Sequence, residues 1–96
     1  MTVFVVAQLS ISDREAYGRY EAGFMDIFQK YRGNLLAVDE APVAVEGEWA
    51  ATRIVLVSFP DAEAFNDWFR SPEYVELAKH RKAGSTGSIL QVQGLA

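Results

Sequence analysis

The chain has no cysteine. Disulfides, thiolate metal sites and thiol nucleophiles are therefore excluded. It has one histidine, His80, so a multi-histidine metal site cannot be assembled, and no His-Glu-x-x-His spacing exists. No apolar run approaches the roughly 20 residues of a membrane span. The opening "MTVFVVAQLS" has too short an apolar stretch, and no basic start, for a secretory leader. A basic cluster is missing too: nine Lys and Arg against thirteen Asp and Glu leave a net charge of −4. The nearest approach, "KHRK" at positions 79–82, fans over several faces of a helix and suits a cation-favouring C-terminal end. These absences lead to an expected cytoplasmic, soluble protein with no metal, no cofactor, and neither nucleic acid nor membrane as a partner.

What is present is packing material. Half of the 96 residues are hydrophobic, and six Phe, four Tyr and two Trp are among them. That is enough for one core, so residues 1–96 are expected to form one domain. "VFVVAQL" reads as a strand. Ser12, with Glu15 three residues on, has capping-box spacing for a helix from Asp13 to about Arg32. Tyr17, Tyr20, Phe24, Ile27 or Phe28, and Tyr31 form its apolar stripe, and Gly33 ends it. Gly18 and Gly23 suggest a close approach of that helix to a sheet. "LLAVDEA" and "VAVEG" read as one strand interrupted near Pro42. "RIVLVSF" is the next strand. Asp61 caps a short helix carrying Phe65, Trp68 and Phe69; Ser71 and Pro72 restart it. After the break at "GSTG", "SILQVQ" is the last strand. The order β-α-β-β-α-β predicts an α+β, ferredoxin-like fold: an antiparallel sheet with helices on one face.

"RIVLVSF" does not alternate as a strand with one wet face should. Ile54 and Leu56 oppose Val55 and Val57, as Phe4 and Val6 oppose Val3 and Val5 on the first strand. Two helices cover only one face of a four-stranded sheet. An exposed apolar face of that size is rare on a monomer. A second copy of the chain, packing sheet on sheet, is the expected cover, the alternative being a monomer shielded by the segment "DEAPVAVEGEW" folding across that face.

Several strings carry a family likeness: "AYGRYEAGF" after the first strand, Glu46-Gly47 before Trp49, and Arg53 opening a strand that ends in Phe59-Pro60. Trp68 then precedes "SPEY", and Arg81 lies in the following helix. Over essentially its whole length the chain resembles domain of unknown function 1330, within the dimeric α+β barrel superfamily. The resemblance implies a ferredoxin-like protomer pairing into a homodimeric α+β barrel, in a family without an established activity. Members often carry an acid where this chain has Ser58, so any role of that acid is lost here. Looser relatives include cofactor-independent monooxygenases, lactone isomerases and haem-binding enzymes.

Each of these chemistries asks for particular residues. His80 as a haem ligand competes with a plainer role as a helix residue near the last turn, which is preferred. Ser71 is read as a cap rather than a nucleophile. A more coherent set is Tyr20, Glu46, Trp49, Arg53, Trp68, Tyr74 and Arg81, with Tyr17 beside it. Aromatic side chains with polar tips suit a pocket between helix and sheet. Arg53 needs a partner inside such a fold: Glu46, a carboxylate of another subunit, or a ligand acid. Trp49 would close the mouth. The leading expectation is a homodimer binding a small organic acid. Its alternatives are a cofactor-independent monooxygenase- or isomerase-like enzyme on a small aromatic substrate, with Glu46 as first candidate base, and a structural dimer with no ligand site.

Overall fold

The structure, a computed structural model, describes residues 1–95. Strand β1 runs Val3–Ile11, helix α1 Arg14–Phe28, and strands β2 and β3 Asn34–Asp39 and Arg53–Phe59. Helices α2 and α3 span Ala62–Phe69 and Pro72–Gly84, and strand β4 spans Ser85–Gln93. The sheet order is β2-β3-β1-β4, and every pairing is antiparallel. This is the expected ferredoxin-like arrangement, with the second helix broken in two at Ser71-Pro72.

Register divides the sheet into two faces. Val5 stands opposite Val57, and Leu9 opposite Arg53; with Val3 and Phe59 they face the helices. One residue along, Val6 lies between Leu56 and Leu90, and Phe4 between Ser58 and Val92. Those side chains belong to the face that no helix covers. Val3, Val5, Val57 and Phe59 are buried, whereas Leu90 and Val92 stay exposed, at 52% and 45%. The double apolarity of β3 thus has its dry side under the helices and its unsheltered side opposite.

The helices are started by side chains. Asp13, not Ser12, caps α1: its carboxylate accepts from the amides of Glu15 and Ala16. Ser12 is diverted, its amide donating to the Gly84 carbonyl at 2.9 Å. Asp61 caps α2 by accepting from Ala64 N–H, and Ser71 accepts from Tyr74 N–H while donating to the Trp68 carbonyl. Ser71 is therefore fully used as a hinge between α2 and α3.

Four local expectations need correction. Helix α1 stops at Phe28 rather than near Arg32, because tight bonds from Lys30 N–H to Ile27 O and Tyr31 N–H to Phe28 O replace the helical ones. The stretch "VAVEG" is not strand. Asp39 pairs with Ile54, so β3 offers only Arg53 beyond it, and residues 40–52 run irregularly; the bulge sits between Leu35 and Ala37 instead of at Pro42. The "GSTG" stretch does not break the chain but opens β4, with Gly87 at φ +153° against the carbonyl of Gln8, where a side chain would clash. Finally, Gly23 serves a helix–helix approach: a Cβ there would lie 2.8 Å from Leu77 of α3, while Gly18 faces open space.

Candidate functional site

Between the helices and the sheet lies a cavity of about 190 Å³. Its deep wall includes the buried side chains Tyr17, Tyr74, Trp68 and Val5. Its outer lining includes Met25, Leu35 and Val38, each more than 40% exposed, so the opening lies between α1 and the edge strand β2. The aromatic wall is locked by contacts of its own. The Trp68 and Tyr74 rings are 4.2 Å apart, and Phe24 meets Trp68 edge-on at 5.9 Å.

Five of the seven anticipated residues line this cavity: Tyr20, Arg53, Trp68, Tyr74 and Arg81. They come from α1, β3, α2 and α3. Glu46 and Trp49 do not join them. They belong to the irregular segment 40–52 and border a separate shallow hollow with Pro42, Val43 and Ile54. Glu46 is exposed there, so it lacks the burial that a poised base requires.

Arg53 is already satisfied by carboxylates, though not by Glu46. Its Nη1 donates to Glu40 at 2.6 Å and its Nη2 lies 3.2 Å from Glu21, while its guanidinium carbon sits 5.2 Å from the Tyr17 ring centroid. Glu40 also receives both terminal nitrogens of Arg14, at 2.6 and 3.1 Å. Hydrogen bonds from Arg14 first, and then from Arg53, hold the Glu40 carboxyl down to about 2. Glu21 and Glu40 were missed from the sequence. The hairpin register was the available signal for Glu40: with Asp39 opposite Ile54, the next residue falls beside Arg53.

Arg81 differs. Among the described residues no carboxylate pairs with it. Its Nε is buried without a hydrogen-bond partner, and the same holds for Trp68 Nε1 and Arg53 Nε, also in the cavity wall. Such orphaned donors are uncommon in native folds and call for an explanation. Nearby, the hydroxyls of Tyr20 and Tyr74 bond each other at 2.7 Å. Burial, reinforced by Tyr74, pushes the Tyr20 phenol far above its ordinary value, and Arg81 partly opposes this. Burial likewise raises Tyr17, against the pull of Arg53.

The family model for a domain of unknown function, DUF1330, matches residues 2–95. The chain belongs to the DUF1330 family. No curated protein matches the sequence. Among solved structures, this DUF1330 protein is similar to the RPA0582 protein of unknown function from Rhodopseudomonas palustris. The TM-score is 0.80 at 18% identity, over 99% of this chain and 83% of that one. It is also similar to SnoaB, a cofactor-independent oxygenase from Streptomyces nogalater, with TM-score 0.72 and 14% identity over 99% and 94% of the two chains. A third is a dimeric ferredoxin-like protein of unknown function from Bacteroides fragilis, with TM-score 0.66 and 12% identity over 95% and 92%. At these identities the likeness establishes the fold. Among the described residues no helix is long and apolar enough to cross a membrane, and no cluster of His, Asp and Glu could hold a metal ion.

Proposed function

We propose that this DUF1330 protein binds a small organic acid in the helix–sheet cavity, and that it does so as a homodimer joined through the helix-free faces of two sheets. The observation that carries the ligand is Arg81, a guanidinium lining an apolar cavity with no acidic partner and a buried, unbonded Nε. A half-buried guanidinium with its Nε shut off from water gains from a counter-charge. A bound carboxylate supplies one, and the Trp68 indole N–H offers it a further donor. Arg53, tied to Glu21 and Glu40, is better suited to shaping the mouth than to receiving the acid. Phe4, Val6, Ile54, Leu56, Leu90 and Val92 support the dimer, because together they leave one apolar sheet face without cover. The Bacteroides fragilis protein of this fold is described as dimeric, which agrees.

An oxygenase-like reaction, as in the SnoaB neighbour, is less well supported. The candidate base Glu46 lies outside the cavity, and Tyr20 is held in its protonated form. The binding reading is tested by thermal unfolding against a panel of small carboxylic acids. A binder present at about 100 times its Kd stabilises the wild type by about 2.7 kcal/mol. The same acid is expected to leave the Arg81→Met variant unshifted. An equal shift in both proteins refutes the site.

A further inference from the structure

The chemistry of the cavity wall narrows the ligand further, on the reading that a small acid binds there. We infer that the cavity takes a monocarboxylate carried on a single aromatic ring. Three constraints converge on this class.

The first is polarity. Arg81 Nε and Trp68 Nε1 only donate hydrogen bonds, and both are orphaned. Of the two protons on the Tyr20–Tyr74 hydroxyl pair, one lies between the oxygens and the other remains to donate. The inner wall therefore presents donors and a positive charge. Its ligand end must be an anion that accepts from all sides. A carboxylate's two oxygens match a guanidinium edge. An amino acid's ammonium would meet Arg81 with like charge, and the carboxylate in the lining, Glu21, is already engaged by Arg53.

The second is the single charge. The other cation in the wall, Arg53, already serves Glu21 and Glu40. Only its Nε is left without a partner, so a second carboxylate would share Arg53 with two acids already bound to it, and a dicarboxylate gains little over a monocarboxylate. Apart from Tyr17 and the Arg53-bound Glu21, the remaining lining is apolar, including Val5, Ala7, Leu9, Val57 and Ile89, and it gives few partners to the several hydroxyls of a sugar acid.

The third is size and shape. An apolar cavity of about 150 Å³ is known to hold benzene. The volume of about 190 Å³ here holds one ring with a small substituent. Tyr20, Phe24, Trp68 and Tyr74 set ring faces and edges around that space, the geometry in which another aromatic ring packs well.

Isothermal titration with four probes tests this: benzoate, benzyl alcohol, terephthalate and succinate. Benzoate is expected to bind most tightly, and about 10- to 100-fold more tightly than benzyl alcohol, the range of one charge-assisted interaction. The Arg81→Met variant is expected to lose that advantage and bind the two alike. If that variant does not fold, the ranking of the four probes on the wild type decides alone. Equal affinity for benzoate and benzyl alcohol overturns the inference, as does tighter binding of succinate or terephthalate; in the latter case the acid-binding reading survives. If benzoate and every acid of the thermal panel fail to bind, both fall together.

Discussion

The Tyr20–Tyr74 hydroxyl pair gives the sharpest test of how the cavity is built. The two oxygens lie 2.7 Å apart, on rings that are 7% and 2% exposed. Replacing either tyrosine by Phe keeps the ring and strands the other hydroxyl. A buried hydroxyl without a partner costs about 1–3 kcal/mol. Replacing both removes donor and acceptor together, which is close to neutral when shape is kept. Each single variant should therefore lose about 1–3 kcal/mol, and the double variant less than either. In a domain of this length that is about 4–8 °C of Tm per kcal/mol. The assay is urea or thermal unfolding of wild type, both single variants and the double. Their cycle should give a coupling larger than either single-site penalty and approaching the sum of the two. If the double variant instead loses the sum of the two singles, the hydroxyls do not depend on each other. Water would then reach both, and the dry inner wall assumed for the ligand site would be wrong. The same pair has an alkaline signature. Burial first, then Tyr74, raises the Tyr20 phenol above its unfolded value of about 10. Its contribution is present below pH 10 and is lost as pH climbs above it, so Tyr20→Phe should flatten that limb of the stability curve.

Two further outcomes follow from the charges and from the bare sheet face. The Glu40 carboxyl is lowered from 4.5 to about 2, so its contribution to stability is present above about pH 4.5 and lost as pH falls toward 2. Glu40→Gln should remove that part of the acid limb and leave a smaller slope in unfolding experiments between those pH values; an unchanged slope would deny the Arg14–Glu40–Arg53 bridge. Leu90, exposed on the helix-free face, should tolerate Glu within a single chain yet place a charge inside the proposed sheet-on-sheet interface. Sedimentation should report a dimer for wild type and a folded monomer for Leu90→Glu; a monomeric wild type at micromolar concentration refutes the proposed pairing.

The fold was legible because its signals are redundant. The stripe Tyr17, Tyr20, Phe24 and Phe28 could only be a helix, and Asp61, Ser71 and Pro72 mark helix starts by chemistry that acts within a few residues. Expectations failed where distant chain decides the outcome. Ser12 has good capping chemistry, but its hydroxyl donates to the carbonyl of Gly84, seventy-two residues away, and the cap is left to Asp13. "VAVEG" has strand composition, but β3 begins too late to pair with it. Gly87 reads as a chain break, yet it lets β4 pass against the carbonyl of Gln8 on β1. In each case local preference was overruled by a neighbour that no short window contains.

The candidate site shows the same limit in its electrostatics. From sequence, Arg53 was the arginine in need of a ligand, because it opens a central strand, and Arg81 was one cation among several near a helix end. Folding reverses their positions. The β2–β3 hairpin and the exposed side of α1 bring Glu40 and Glu21 onto Arg53, so the strand-opening charge is neutralised from within. Arg81 is carried by α3 to the cavity wall, and none of the described carboxylates follows it. An arginine's need for an outside partner depends on which acids its neighbours have already spoken for, and that is a property of topology. The net charge of −4 says nothing of it: the chain has acid in excess, yet among the described residues none of that acid pairs with Arg81. On the proposed reading, a small anion makes with Arg81 the pairing that Glu21, held by Arg53 in the same lining, does not make.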